Sequence, residues 1–303
     1  MISCPFCHSH AAFALENVFL FYSCSSCKSL FRSDIEHPIV SYTQEYYGDR
    51  GRKFNFPLYS FVKRTMYSKR WKKIKNYIVP HDYLLDVGCG HADWLEFLHK
   101  RKQIRAIGIE LPGELEAYLA NKKWLQLYTN SILTLNDYDG KMKGIFFLHS
   151  FEHMPDPVAV LEKTISLLAP KGFIYIAIPN IHSWQYKVFK QKWLHLDPLY
   201  HLHFVSYRWL HQFFNNHGLE HVQVYHNQFS YSFAGWFFSL LNYISPYNSL
   251  WELLKRKFRV KYAGRYFFLA ISLLLLFVPV TLLFVLECIF KRGATIEMLY
   301  VKK

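Results

Sequence analysis

Acidic residues are few: 22 Asp and Glu stand against 36 Lys and Arg, a formal charge of +14 over 303 residues. That balance argues against a cationic partner and favours an anionic one: nucleic acid, acidic lipid headgroups or a phosphorylated substrate. The N-terminus lacks the basic and apolar stretch of a secretory leader, since Met1–Ile2–Ser3 runs straight into Cys4, so a cytoplasmic protein is expected. A spaced disulfide framework is also missing. Four of the six cysteines form two C-x-x-C pairs, Cys89 sits in a glycine-containing turn and Cys288 in an apolar run. This usage excludes a small disulfide-stapled fold and suits a reducing compartment with a metal site. There is no internal repeat and no low-complexity segment, which excludes solenoids and propellers. Apolar residues make up 51% of the chain and aromatics 19%, so a large core is available and wholesale disorder is not expected. The length allows one full α/β domain with an appendage, or two domains at most.

Residues 1–33 read as a small ribbon and residues 34–80 as a polar linker followed by a basic helix from Pro57 to Ile78. Strands and helices then alternate. Strands are expected at Tyr83–Val87, Ile104–Glu110, Trp124–Thr129, Gly144–His149 and Phe173–Ile178. Helices are expected at Ala92–Arg101, Gly113–Lys122 and Pro157–Leu168. Short apolar strands alternating with helices imply an α/β fold, a doubly wound, mostly parallel sheet covered on both faces. A helix at Tyr207–Asn216, a strand at Leu219–His226 and a final strand at Gly293–Val301 complete seven strands.

The segment Leu84–Gly90, LLDVGCG, ends a strand in an acid and opens a helix through a Gly-x-Gly turn. Gly88 and Gly90 permit a tight turn and close approach of a ligand to the backbone, and the helix offers free N–H groups. Glu110 closes the second strand twenty positions after Gly90, where an acid can accept hydrogen bonds from ribose hydroxyls. The turn, GCGHADW, has no third glycine at the G-x-G-x-x-G spacing of nicotinamide enzymes. Asp86 suits the ammonium of a methionine moiety and repels a pyrophosphate.

The successive motifs LLDVGCG, GIE, HSFEHMPDP and LLAPKGFIYIAIPN resemble those of class I S-adenosylmethionine-dependent methyltransferases, most of all the branch with an L-E-H-x-x-D-P motif. The resemblance covers residues 40–228 and the last strand. It implies a Rossmann-like methyltransferase fold, with Asp86, Gly88 and Gly90 at the methionine end of S-adenosyl-L-methionine and Glu110 at its ribose. It also implies Asn130–Ser131 near the adenine and His149 on the methyl side. The sequence departs from the family at Ala92, where a third glycine is common, and at Lys143–Gly144, where an acid commonly starts the fourth strand.

Cys4, Cys7, Cys24 and Cys27 have the paired-knuckle spacing of a zinc ribbon. Four thiolates close the coordination sphere, so a structural Zn2+ is expected. Some methyltransferases of ribosomal RNA or nucleotide sugars resemble this arrangement. For the chemistry, His149, Glu152 and His153 fall at i, i+3 and i+4 at the sheet's carboxyl edge. Ubiquinone-pathway O-methyltransferases look similar here and use a metal-assisted version of this face, but His149 replaces a carboxylate of that pattern. A base role is therefore expected for His149 and His153, the alternative being that Glu152–His153 braces the next helix. His195, His201 and His203 after the fifth strand form a second candidate group, with His203 carried forward as catalytic. Tyr42, Tyr46 and Tyr47 offer a lid.

Residues 229–292 read as an apolar insertion. Tyr266–Leu286 has no charged residue, long enough to span a bilayer core, yet Arg265 and Lys291–Arg292 flank both ends and Pro279 sits near the middle. Two half-helices dipping into one leaflet are expected, with a buried helical pair as the alternative. The division is thus ribbon 1–33, linker and helix 34–80, cofactor-binding domain 81–228, membrane-associating insertion 229–292 and final strand 293–303. The expected activity is methyl transfer to a small or lipid-linked acceptor, a glycan or isoprenoid intermediate, at an anionic cytoplasmic membrane surface. The alternatives are an RNA methyltransferase, which the ribbon and charge favour, and a cofactor-binding scaffold with weakened catalysis, which Lys143–Gly144 motivates.

Overall fold

The computed structural model describes residues 2–35, 57–226, 228–255 and 259–303. Most of the linker, with Tyr42, Tyr46 and Tyr47, lies outside the described residues. The ribbon carries β1 (Ile2–Ser3), β2 (His10–Glu16), β3 (Leu20–Cys24) and β4 (Leu30–Arg32). Helix α1 (Pro57–Ile74) leads into β5 (Tyr83–Val87), α2 (Asp93–Lys102), β6 (Arg105–Ile109), α3 (Glu114–Ala120) and β7 (Leu125–Tyr128). There follow β8 (Met142–Leu148), α4 (Pro157–Leu167), β9 (Leu168–Pro179) and α5 (Trp184–Phe189). The rest is β10 (His203–Phe204), α6 (Tyr207–Asn216), β11 (Leu219–Tyr225), α7 (Phe229–Leu241), α8 (Ser249–Lys255), α9 (Ala263–Ile289) and β12 (Thr295–Lys302).

The main sheet has seven strands in the order β11-β12-β9-β8-β5-β6-β7. The paired neighbours from β9 to β7 are parallel, and β12 runs antiparallel to both β9 and β11. This is the expected Rossmann-like methyltransferase sheet. Its strands are apolar because both faces are covered: Leu84, Leu85, Ile145, Phe146, Phe147 and Ile174 are each 0% exposed. Lys143–Gly144 has a packing explanation. A Cβ at Gly144 would stand 2.4 Å from Cζ of Phe173, so the strand needs a glycine where the family commonly has an acid. Gly144 pairs with Leu84 at the amino end of the strand, remote from the carboxyl edge.

The ribbon is joined to the body by a sheet of its own. Strand β10 pairs antiparallel with β4, giving the order β1-β2-β3-β4-β10. Ser206 Oγ donates to Cys27 O, and Ser206 N–H donates to Ser29 Oγ at 3.0 Å. Phe6, Cys24 and Phe31 belong to the same buried cluster as Phe147, Phe151 and Leu202. A ribbon this short cannot bury a core alone, and it borrows one from the sheet.

Helix α9 is one continuous helix of 27 residues, about 40 Å long at 1.5 Å per residue. The expected break into two half-helices does not occur. Pro279 lacks the N–H that would pair with Leu275 O, yet the helix continues through it, and the Thr281 hydroxyl donates to Phe277 O at 2.6 Å one turn back. Helix α9 runs antiparallel along α7, with Phe284 against Phe229 (5.1 Å) and Phe277 against Phe233 (5.5 Å). Helix α7 is in turn fastened to the body along its length. Gln185 Nε2 donates to Ser232 O at 2.8 Å, Leu194 N–H to Ser239 Oγ at 2.8 Å and Asn242 Nδ2 to Lys192 O at 2.9 Å. A Cβ on Gly235 would fall 2.0 Å from Gln185 Oε1, so α7 lies directly on the body.

Ala92 ends the cofactor turn at φ 55°, fully buried and left-handed. A side chain in that region costs about 1–2 kcal/mol, partly offset by the entropy glycine loses on folding. Ala92→Gly is therefore expected to stabilise the protein by about 0.5–1 kcal/mol, read as a higher midpoint of denaturant unfolding with unchanged slope.

Candidate functional site

A cavity of about 1190 Å3 opens at the carboxyl edge of the sheet. A single ligand pocket typically occupies about 300–1,000 Å3, so this one has room for more than one molecule. One wall is the glycine turn. Gly88 and Cys89 N–H groups donate to Ile109 O at 2.8 and 2.9 Å, which folds the turn over the neighbouring strand. Gly88 is required by crowding, because its Cβ would sit 2.6 Å from Ser150 Cβ. At Gly90 no atom lies within 4 Å of the Cβ position and φ is +54°, leaving open space in front of the backbone. Glu110 accepts from Gly90 N–H at 2.6 Å and from Leu111 N–H at 3.0 Å, so it already braces the turn. Asn130 and Ser131 line the same cavity and are exposed.

Asp86 is 3% exposed and its Oδ1 has no hydrogen-bond partner. Burial pushes its carboxyl up to about 8, with Arg70 opposing and Glu110 adding to the rise. Arg70, 4% exposed, lines the cavity too. Its Nε and Nη2 both donate to Glu297 Oε1, at 3.0 and 2.6 Å, and Lys73 donates to Glu297 Oε2 at 2.6 Å. Glu297 lies in β12 between Tyr225 of β11 and Ala177 of β9, where those cations hold its carboxyl down to about 2 against the effect of burial. The cavity thus presents a buried carboxyl group, which an incoming ammonium would ionise, and a buried guanidinium held by Glu297, a pair of groups suited to an amino-acid zwitterion. In the sequence Arg70 is one of many cations in the basic helix from Pro57 to Ile78 and has no mark of its own. The available signal was Glu297 in the apolar strand TIEMLYV, since a buried acid demands a cation.

The second wall carries the histidines. His149 is left-handed at φ 59° and stacks on Tyr231 of α7 at 4.0 Å and 18°. Its Nδ1 lies 3.6 Å from Glu152 Oε1, and its Nε2 lies 3.3 Å from Gln228 Oε1. Glu152 is 1% exposed, and His201 Nε2 approaches the same oxygen at 3.9 Å. Burial raises the Glu152 carboxyl, but the imidazoles of His149, His201 and His153 outweigh it and leave it at about 2. His153 Nδ1 meets Tyr200 O at 2.9 Å, which fixes its ring. Donor atoms of Glu152, His153 and His201 lie within 4.8 Å of one another, close enough to share a cation. His149, His153, His195 and His201 border the cavity. His203, expected to be catalytic, does not: it is 0% exposed, edge-on to Phe6 and Phe151, and burial pushes it down to about 3. Its strand pairs with the ribbon, which turns the ring into the core rather than the cavity. Tyr231 and Trp251, both in the run read as membrane-associating, also line the cavity and carried no sequence signal of doing so.

Away from the cavity, Cys4 Sγ lies 3.5 Å from Cys27 Sγ and Cys7 Sγ 3.5 Å from Cys24 Sγ. All four sulfurs lie within 4.8 Å of one another. Each C-x-x-C is followed by a left-handed residue, His8 (φ 57°) or Lys28 (φ 62°), whose N–H returns to the first cysteine's carbonyl. The two loops therefore have the same form.

Because the Asp86 carboxyl is raised from 3.8 to about 8, the unfolded chain ionises first as pH rises. Stability from this group falls across that window and levels off above it. Asp86→Asn is expected to raise the melting temperature of the ligand-free protein at pH 8, by at least about 1 kcal/mol of stability, with the gain shrinking towards pH 4. An equal gain at both pH values would count against a buried, unpaired carboxylate.

Residues 62–224, more than half of the chain, match the family model described as a methyltransferase domain. No curated protein matches the chain in sequence. Among solved structures, the chain is similar to a protein of Galdieria sulphuraria described as a sarcosine dimethylglycine methyltransferase. That pair has 13% identity and a TM-score of 0.52, covering 80% of this chain and 86% of the other. It is also similar to geranyl diphosphate C-methyltransferase of Streptomyces coelicolor A3(2), solved with Mg2+, geranyl diphosphate and S-adenosyl-L-homocysteine, at 12% identity and TM-score 0.51, covering 79% and 80%. At such identities these likenesses speak to the fold. The family match speaks to the chemistry, and the chain belongs to the methyltransferase-domain family of S-adenosylmethionine-dependent enzymes.

Proposed function

We propose that this protein methylates a small or lipid-linked acceptor, a glycan or isoprenoid intermediate, at the cytoplasmic face of a membrane. The observation that carries this reading is the double use of α7. Ser230, Tyr231 and Ala234 on this helix form a wall of the cavity, while Phe229 and Phe233 cradle α9. Among the described residues, α9 with its short lead-in is the one helix long and apolar enough to cross a membrane, with mean hydropathy 2.9 over its best window. Its exposed residues Phe267, Ile271, Leu274, Val278, Leu282, Val285 and Ile289 recur at helical spacing along one face. Because α7 is fastened to the body, α9 is held against it rather than standing free. An interfacial helix lying in one leaflet fits this better than a span. The Streptomyces neighbour named for geranyl diphosphate supports the isoprenoid class as one this fold accommodates.

S-adenosylmethionine supplies an electrophilic methyl group when bound. The unpaired Oδ1 of Asp86 and the open space at Gly90 fit its methionine end. In this reading Asp86 takes the ammonium, Arg70 the carboxylate, Glu110 the ribose hydroxyls, and Asn130 with Ser131 lies at the adenine. His149 and His153 accept the acceptor's proton, and the ionised Glu152 stabilises the imidazolium. The Glu152–His153–His201 cluster supports a second reading in which a divalent cation binds there and orients the acceptor. Loss of turnover in chelator, restored by a divalent metal, separates the two. In the ribbon, the sulfur spacing approaches the edge of about 3.8 Å implied by a zinc–sulfur bond of ~2.3 Å, which supports one structural Zn2+ held by Cys4, Cys7, Cys24 and Cys27.

The function is tested by incubating the protein with host membranes and methyl-labelled S-adenosylmethionine. Label in the lipid or glycan fraction is expected, and label in RNA would favour the nucleic-acid alternative. Glu110→Ala is expected to weaken S-adenosylmethionine binding by about 1–3 kcal/mol in calorimetry, and unchanged affinity would remove Glu110 from the ribose site. Metal analysis of protein purified under reducing conditions is expected to give one zinc per chain. Because β4 and β10 share a sheet, Cys24→Ser should also loosen the loop that carries His201, seen as faster amide exchange there.

A further inference from the structure

We propose that the acceptor is a lipid whose tail stays in the bilayer along α9 while its polar head enters the cavity past Ala234 of α7 and Trp251 of α8. The proposal rests on the membrane-docking reading and gives it a route. Three observations converge. First, the cavity wall facing away from the glycine turn is apolar where Leu194, Ala234 and Trp251 line it. Secondly, those residues belong to the apolar cluster that supports α9. Leu194 is buried with Phe237, Phe238, Leu253 and Leu269, and Ala234 and Trp251 pack against them. Trp251 lies 5.1 Å from Phe238 on one side and borders the cavity on the other. Apolar packing is therefore continuous from α9, through buried side chains, to the cavity wall at Ala234 and Trp251. Thirdly, the charge around that face suits an anionic headgroup layer. Arg259, Lys261 and Arg265 are exposed at one end of α9 and Lys291 and Arg292 at the other, while its one acid, Glu287, is 0% exposed and accepts from Gln185 Nε2 at 3.2 Å.

A head entering there reaches the stacked pair His149–Tyr231 before the glycine turn. Tyr231 belongs to α7, so the helix on which α9 packs also sets how far the head can advance. A water-soluble acceptor has no need of this route and would come in from the open, polar side of the cavity. The size of the cavity, about 1190 Å3, leaves room for a headgroup beside the cofactor.

The test uses the full chain with S-adenosylhomocysteine and phosphatidylcholine vesicles containing phosphatidylglycerol, part of which carries a photoreactive group near the start of the acyl chain. Co-sedimentation with the vesicles reports docking, and peptide mapping after irradiation reports the route. Crosslinks on the exposed face of α9 together with crosslinks on the peptides holding Ala234 and Trp251 are expected. Ala234→Trp should fill the passage, losing the crosslinks at Trp251 while keeping those on α9 and keeping S-adenosylhomocysteine binding. Vesicle binding with crosslinks confined to residues 263–290 would overturn the lipid route and leave docking intact. Absence of co-sedimentation would overturn the docking reading itself. The wild-type map decides the matter even if the variant fails to fold.

Discussion

The insertion leaves the sheet and returns to it at one point, and the rest of the molecule follows from that constraint. Strand β11 ends at Tyr225, which pairs with Glu297, and β12 begins beside Pro179 at the end of β9. Both points lie on the carboxyl edge, where the turn after β5 also opens. A chain segment of more than sixty residues closed at that edge cannot avoid the ligand site. Its base is pinned by Asn180 Nδ2 donating to Gly293 O at 2.9 Å and by Cys288 Sγ at 3.6 Å from His226 O. Helix α7 therefore becomes a cavity wall, and α9 has only the outer side of α7 left to lie on. The antiparallel entry of β12 thus couples an apolar surface to the cavity by topology alone.

The ribbon bears on the same site from the other side. Arg32 N–H donates to Leu202 O at 2.8 Å, and Leu202 N–H donates to Glu152 O at 2.9 Å. Arg32 Nη1 also donates to Pro198 O at 3.0 Å. The loop bearing His201 is held between the ribbon and the turn after β8, and His201 Nδ1 meets His195 O at 2.9 Å. The imidazoles gather around Glu152 because this loop cannot move away. A polar residue as deeply buried as Glu152 persists only with such over-determined surroundings.

The sheet was readable because its signals are local. Tyr83–Val87 is an apolar run between turn residues, and the Gly-x-Gly turn needs φ values that the structure supplies at Gly88 and Gly90. The paired cysteines announced their own proximity for the same reason. What resisted reading depends on contacts between distant segments. His203 faces the core because β10 pairs with β4, some 170 residues earlier in the chain. Arg70 reaches the cavity because Glu297, 227 residues away, receives it. Pro279 did not break α9, which α7 holds on either side of it through Phe277 and Phe284. Apolar content marked α7 as greasy, but nothing local distinguishes the face bearing Tyr231 from the face bearing Phe233.

The charge of the chain takes on a different meaning once these long-range contacts are known. The basic run of α1 looked like an electrostatic stripe for an anionic partner. In the structure Arg70 and Lys73 turn inward to Glu297, and Lys63 pairs with Asp93. On α2, Glu96 gathers Lys100 and Lys122. Arg70 and Lys73 are thereby turned away from any duplex or single strand, while Arg64, Lys69 and Lys72 of α1 and Lys75 just after it stay exposed. The cations that remain exposed beside α9 stand at the two ends of an apolar face. Charge at both ends with grease between them matches a headgroup layer over hydrocarbon, and a polynucleotide has no use for the grease. It is the position of the positive charge, at the two ends of an apolar helix, that supports the membrane-docking proposal.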